Sequence, residues 1–189
     1  MKRAIAMVLM AALLAFSLCG CGASGFDGLY DYLEKNGTSG EDGKRVAITV
    51  ENKVKFDVYF EAADTGKIIL GYHLNVKTST AVTTGTMKIY LDGKSDPYFE
   101  TSSVSTLIVS GIPVNMEEYC TGHIDISADK ATANIESCSR QGFGQTSTEV
   151  LDTTEKSVDL DLQRIWNNLP QLIEKTGVNI SMEDLGLAG

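Results

Sequence analysis

Among its 189 residues the sequence has two histidines, His73 and His123. It contains no His-Glu-x-x-His, no Gly-x-Ser-x-Gly and no glycine-rich phosphate loop. Zinc-protease, serine-hydrolase and nucleotide chemistry therefore lack their local signatures. Basic residues are also few: 16 Lys and Arg stand against 25 Asp and Glu. That balance argues against nucleic acid, which demands Lys/Arg surfaces, and against a polybasic grip on anionic lipid. The long apolar run at residues 5–18 has 14 residues, short of the roughly 20 that span a bilayer as a helix. The four cysteines include no Cys-x-x-Cys pair, so metal and redox sites lack their usual spacing. No internal repeat or linker divides the chain after its first residues.

Lys2 and Arg3 precede the apolar run, and Leu18-Cys19-Gly20-Cys21 follows it. A basic start, a short apolar stretch and a small residue before a cysteine resemble the signal and lipobox of a bacterial lipoprotein. The resemblance implies export, cleavage before Cys21 and a diacylglyceryl thioether on Cys21. Cys19 competes for that role, but it follows Leu18, whereas Cys21 follows the small Gly20. A short membrane helix that stays attached is the alternative. The expected division is a signal peptide over 1–20, a flexible tether over 21–25 and one domain over 26–189. Each buried acyl CH₂ contributes about 0.8 kcal/mol, and two chains hold a protein on a membrane stably. The pattern covers about the first 21 residues. It speaks of location and not of activity.

Removing Lys2 and Arg3 leaves 14 basic against 25 acidic residues, a net charge of −11. Solubility and repulsion from acidic neighbours at a cell surface account for this without a cation site. Two cysteines remain, Cys120 and Cys138, and an even number in an exported domain predicts a disulfide. They flank a predicted hairpin: residues 119–127 alternate, residues 131–137 alternate, and Ala128-Asp129-Lys130 supplies the turn. Facing the cysteines requires residue numbers that sum to 258 across the pair. A sum of 259 would instead pair Ile124 with Ile135. One bulge between Ile135 and Cys138 reconciles the two.

Elsewhere the periodicity predicts a short N-terminal helix capped by Asp27, with Phe26, Leu29, Tyr30 and Leu33 on one face. Strands follow at Val46–Val50, Phe56–Phe60, Ile68–Val76 and Met87–Leu91, then at residues 98–102 and 106–110. The final third changes period. Val158, Leu162, Ile165, Trp166, Leu169, Leu172 and Ile173 share one helical face, which Pro170 kinks or splits. Ser181-Met182-Glu183-Asp184 resembles a cap for a last short helix through Leu187. The expected fold is α+β: a curved antiparallel meander packed against C-terminal helices, with Trp166 as the central plug.

No residue is assigned as catalytic or metal-ligating, and no cofactor is expected. His73 and His123 fall on the faces opposite their apolar neighbours and read as exposed strand residues. Glu117/Glu118 diverge on a strand, and Asp159/Asp161 suit a helix start, so neither pair resembles a glycosidase dyad. Asp125, Asp129 and Glu136 approach one another near the hairpin without calcium-loop spacing. Phe143, in Gly142-Phe143-Gly144, and Trp166 are the candidate contacts for a ligand or partner. The expected function is that of a membrane-anchored extracytoplasmic lipoprotein. It would bind a lipid, a peptide or an envelope protein without catalysis. An anchored hydrolase using carboxylates and a purely structural accessory are the alternatives.

Overall fold

Alternating apolar residues become strands almost wherever they occur. The computed structural model describes residues 25–51, 55–93, 97–127, 130–142, 145–150 and 157–187. Helix α1 (Gly25–Asn36) leads into β1 (Thr38–Ser39), β2 (Gly43–Glu51), β3 (Lys55–Ala63), β4 (Lys67–Lys77) and β5 (Ala81–Leu91). Then come β6 (Tyr98–Val109), β7 (Ile112–Ser127), β8 (Lys130–Gly142), β9 (Gln145–Val150) and β10 (Ser157–Leu160). Helices α2 (Leu162–Trp166) and α3 (Pro170–Thr176) close the order. Strands β1 to β8 lie side by side in chain order, and β9 and β10 both pair with β8. Every pairing is antiparallel. Short connections explain this, since a parallel pair needs a crossover of a dozen or more residues.

The core lies on one face of this sheet. Val58, Phe60, Ile68, Leu70, Ile89, Leu91 and Ile124 have lost essentially all exposure there. Leu29 and Leu33 of α1 pack on them, with Leu172 of α3 and with Val178, Ile180, Leu185 and Leu187. In the last of these segments Ser181 Oγ and the Ser181 N–H donate to Asp184 Oδ2 at 2.9 and 2.8 Å, and the Asp184 N–H donates back to Ser181 Oγ at 3.2 Å. The reciprocal cap forms on a turn rather than on a helix.

The α+β expectation does not hold. Among the described residues the molecule is mostly one open antiparallel sheet, and its helices have only 12, 5 and 7 residues. The stripe expected to run as helix from Val158 breaks into three pieces. Ser157–Leu160 pairs with β8 as a strand, which leaves Val158 exposed. Helix α2 stops at Trp166, and Pro170, which has no N–H to continue the ladder, begins α3 at its first turn. Gly177 then closes α3 in the left-handed region, at φ 65°. Trp166 is half-buried at the margin of the core rather than its central plug. Leu169 is fully buried and Ile173 partly so. The side chain of Leu162 lies outside the described part.

Two strand expectations change as well. Residues 98–102 and 106–109 belong to one strand, β6, all 12 of whose residues pair with the longer β7. In the β7–β8 hairpin the bulge falls where expected, but with the opposite sense. Cys120 faces Cys138 and Thr121 faces Ser137, yet Gly122 already faces Ile135. The extra residue is therefore Glu136 on β8, and the register toward the tip sums to 257 rather than 259. Both sums place Ile124, Ile126, Ala131 and Ala133 on the core face, because they differ by two residues. Ser127 pairing with Lys130 accompanies the tighter choice.

Candidate functional site

The second face of the sheet is polar, yet it is not simply solvated. Pairing registers align its side chains in rows across the strands. One row runs Arg45, Glu61, Ile69, Tyr90, Tyr98, His123 and Asn134. The next runs Tyr59, Gly71, Lys88, Glu100 and Thr121. The third runs Asp57, His73, Thr86, Ser102, Tyr119 and Ser139.

Glu61 anchors the first row and is 0% exposed. Its Oε1 accepts the N–H groups of Asp42 and Gly43 at 2.8 and 3.0 Å. Its Oε2 accepts Nε and Nη2 of Arg45 at 3.0 and 2.6 Å. The same guanidinium lies 3.9 Å over the Tyr59 ring centroid, a cation–π placement. Burial pushes the Tyr59 hydroxyl above its ordinary value, and Arg45 partly offsets that. The other side of the ring covers Gly71, where a Cβ would stand 1.9 Å from Tyr59 Cζ. Gly71→Ala is therefore expected to destabilise by about 1–3 kcal/mol through overpacking. Urea unfolding of G71A alone and in a Tyr59→Ala background checks this, since the cost should largely vanish in the second.

Lys88 stands at the inner wall, its side chain 12% exposed, with Nζ 2.7 Å from Asp42 Oδ2 and 3.0 Å from Glu41 Oε2. Burial alone would pull this amine down, but the hydrogen bonds to Asp42 and Glu41 outweigh it and raise it. Beyond Lys88 the surface opens into a depression of about 260 Å³ lined by Glu41, Thr86, Lys88, Glu100, Thr101, Ser102 and Tyr119. A second one, about 170 Å³, continues past Tyr119 to Glu117, Ser139 and Gln141. They share Ser102 and Tyr119 and so form one trough across β5 to β8. The Tyr90 hydroxyl donates to Glu100 Oε2 at 3.1 Å. Burial and then the Glu100 charge push both Tyr90 and Tyr119 upward. Both phenols thus remain donors at neutral pH. The trough offers hydroxyls, one amine already held by two carboxylates, and carboxylates in excess.

The two histidines lie on this face, as their sequence positions imply, but neither is merely solvated. His73 Nδ1 is 3.1 Å from Thr86 Oγ1. His123 has Nδ1 2.9 Å from Glu136 Oε1 and Nε2 3.4 Å from Asp125 Oδ1. Asn134 Nδ2 donates to Asp125 Oδ2 at 2.6 Å. The bulge at Glu136 turns that carboxylate onto His123. With carboxylates at both ring nitrogens, the imidazole presents no free nitrogen to a nucleophile. No group of three or more His, Cys, Asp or Glu among the described residues is placed to hold a metal.

Other candidates scatter. Cys120 and Cys138 face each other on the core side, Cα atoms 4.2 Å apart and sulfurs 2.01 Å apart. They do not reach the trough. Glu117 and Glu118 both line the trough, and Glu118 Oε2 also accepts Arg140 Nε at 2.6 Å. Asp159 is a strand residue opposite Thr132, and Asp161 accepts the Ile165 N–H through its carbonyl. Trp166 packs on the core, on the side of the sheet away from the trough. Cys21, Asp129 and Phe143 lie outside the described residues.

Sequence periodicity missed Arg45, Glu61, Lys88, Glu100 and Tyr119. A two-residue turn at Asn52-Lys53 would set Arg45 opposite Phe60, whereas the observed register, one residue longer, sets it opposite Glu61, so no local signal gave this pair. No protein-family model, curated protein or solved structure matches this chain. Among the described residues no helix is long and apolar enough to cross a membrane.

Proposed function

We propose that the protein is a lipid-anchored extracytoplasmic binding protein. Its trough on the polar sheet face takes a basic peptide segment of an envelope partner without chemical turnover. The observation that carries this reading is the trough itself. Glu41, Glu100 and Glu117 line it, and its one amine, Lys88, is already engaged by Glu41 and Asp42. A cationic side chain entering it meets unmatched negative charge, whereas an anion is repelled. Tyr119 and Ser102 at the join of the two depressions add hydrogen-bonding groups and an aromatic surface. A hydrolase has less support, because the carboxylates nearest Lys88 are ion-paired to it and His123 is enclosed by Glu136 and Asp125. The anchor rests on Gly20-Cys21 after the apolar run.

Titration with a lysine-rich peptide, followed by amide resonances, tests the trough. Thr86, Ser102 and Tyr119 should shift, binding should weaken with salt, and Glu100→Gln should lower affinity about three- to tenfold. Equal binding of an acidic peptide, or an unaffected Glu100→Gln protein, would sink the reading. The anchor is tested separately by acyl-chain labelling. Cys21→Ser should abolish incorporation and either release the protein from membranes or block its processing, while Cys19→Ser should do neither. Label that survives Cys21→Ser would refute the assignment.

A further inference from the structure

Strands β6 and β7 extend beyond the core as a hairpin, flanked by β5 as far as Leu107 and by the Thr80 carbonyl, which accepts the Ile108 N–H at 2.9 Å. The hairpin turns through Ser110 and Gly111, both at positive φ (52° and 81°), as a two-residue hairpin loop requires. Residues 101–116 carry no charge, and Glu100 and Glu117 bound the stretch. The tip is apolar on both sides. Val109 and Ile112 face each other on one side, 47% and 65% exposed; Ile108, 53% exposed, lies on the other opposite Pro113. A protein surface laid against the hairpin would cover one side and leave the other wet. A bilayer surface encloses both. The depth also fits. Thr106 Oγ1 donates to Asn115 Oδ1 at 2.9 Å and forms a polar collar beneath the tip. Three residue pairs stand above that collar, a rise of roughly 10 Å, which matches the roughly 5–10 Å that interfacial elements bury in lipid. Lys77 shares the collar's row across Val82, and Glu117 lies two residues below it, so the local charges offset each other while the whole chain carries −9; the lipid that suits the tip is zwitterionic rather than anionic.

We propose that this tip inserts end-on into a zwitterionic bilayer that faces the membrane holding the anchor. The choice of the facing bilayer rests on the lipid-anchor reading. Helix α1 begins beside the β5–β6 connection, where Phe26 packs against Gly93, at the end of β6 away from the tip. The 12 residues of β6 separate the two by roughly 40 Å. The four residues from Cys21 to Gly25 reach at most about 14 Å. End-on insertion into the anchoring leaflet would exceed that reach.

Two experiments separate the parts. Unlipidated Cys21→Ser protein should float with phosphatidylcholine vesicles, and adding phosphatidylglycerol should reduce the bound fraction. Ile112→Asp or Ile108→Asp should lower it at least tenfold with unchanged melting temperature. Absent flotation, or flotation indifferent to both substitutions, would overturn tip insertion whatever the state of Cys21. Dimerisation in sedimentation that Ile112→Asp abolishes, without vesicle binding, would make the tip a self-association surface and likewise overturn it. Lipidated full-length protein in one vesicle population should then cluster a second, protein-free population. Failure to cluster, with flotation intact, would overturn only the facing-bilayer assignment.

Discussion

Glu61→Ala is expected to lower the free energy of unfolding by about 3–5 kcal/mol, a large share of the roughly 5–15 kcal/mol typical of a domain. The carboxylate is wholly buried and satisfies two backbone N–H groups and a guanidinium. Its loss leaves the Asp42 and Gly43 N–H groups without their acceptor and Arg45 without its counter-charge. Arg45 is 27% exposed, so water recovers part of the loss and places the expectation toward the lower end. Glu61→Gln should fall between wild type and alanine, because the amide oxygen still accepts while its NH₂ faces donors. Urea midpoints at unchanged m-value read the effect. A shift worth less than about 1 kcal/mol would show that the pair contributes register rather than stability. The consequence reaches the trough, because Asp42 links the Glu61 cluster to Lys88.

Joint replacement of Cys120 and Cys138 by serine is expected to cost about 3 kcal/mol, the chain-entropy value for a loop of 18 residues. Both positions are nearly buried, at 5% and 6%, so the two hydroxyls add a desolvation cost. The disulfide lies one pair from the register shift at Thr121/Gly122. Hydrogen exchange in β8 should therefore rise most around Ser137 in the double mutant. Alkylation followed by mass spectrometry of protein exported under oxidising conditions decides whether the bond forms. Two free thiols would remove the basis of the prediction.

Several elements were legible because their causes are local. Alternation placed β2 to β5 and the β7–β8 hairpin, and the four-residue spacing of Leu29 and Leu33 placed α1. The facing of Cys120 and Cys138 followed from a hairpin register. The C-terminal stripe misled because Val158 satisfies both periods. A helix reading counts it with Leu162, four residues on, while a strand reading counts it with Leu160, two residues on. The free edge of β8, beside residues 131–134, takes Val158 and Leu160 as β10. That edge is set by the whole order of strands and has no trace in residues 157–160. The candidate site was less legible than the fold. Trp166 and Phe143 were singled out as large apolar groups, while the trough is built from charges and hydroxyls that look like ordinary solvated strand positions.

By itself, then, the sequence determined what depends on neighbours a few residues away. That includes the periodic strands, the first helix, the acidic balance and the cysteine pair. It also includes the Gly20-Cys21 pattern on which the proposed anchor rests. Tertiary structure alone decided which face of each strand would be covered, and how completely. Glu61 alternates with Phe60 and Ala62, and the local pattern puts it in water. It is buried because Asp42, Gly43 and Arg45 arrive from β2 and the turn before it. Lys88, Glu100 and Tyr119 meet because β5, β6 and β7 share one register over their lower halves. A charge leaves water only where several partners converge to replace its hydration, and at Glu61 that convergence requires β3, β2 and the turn before it to be in place at once.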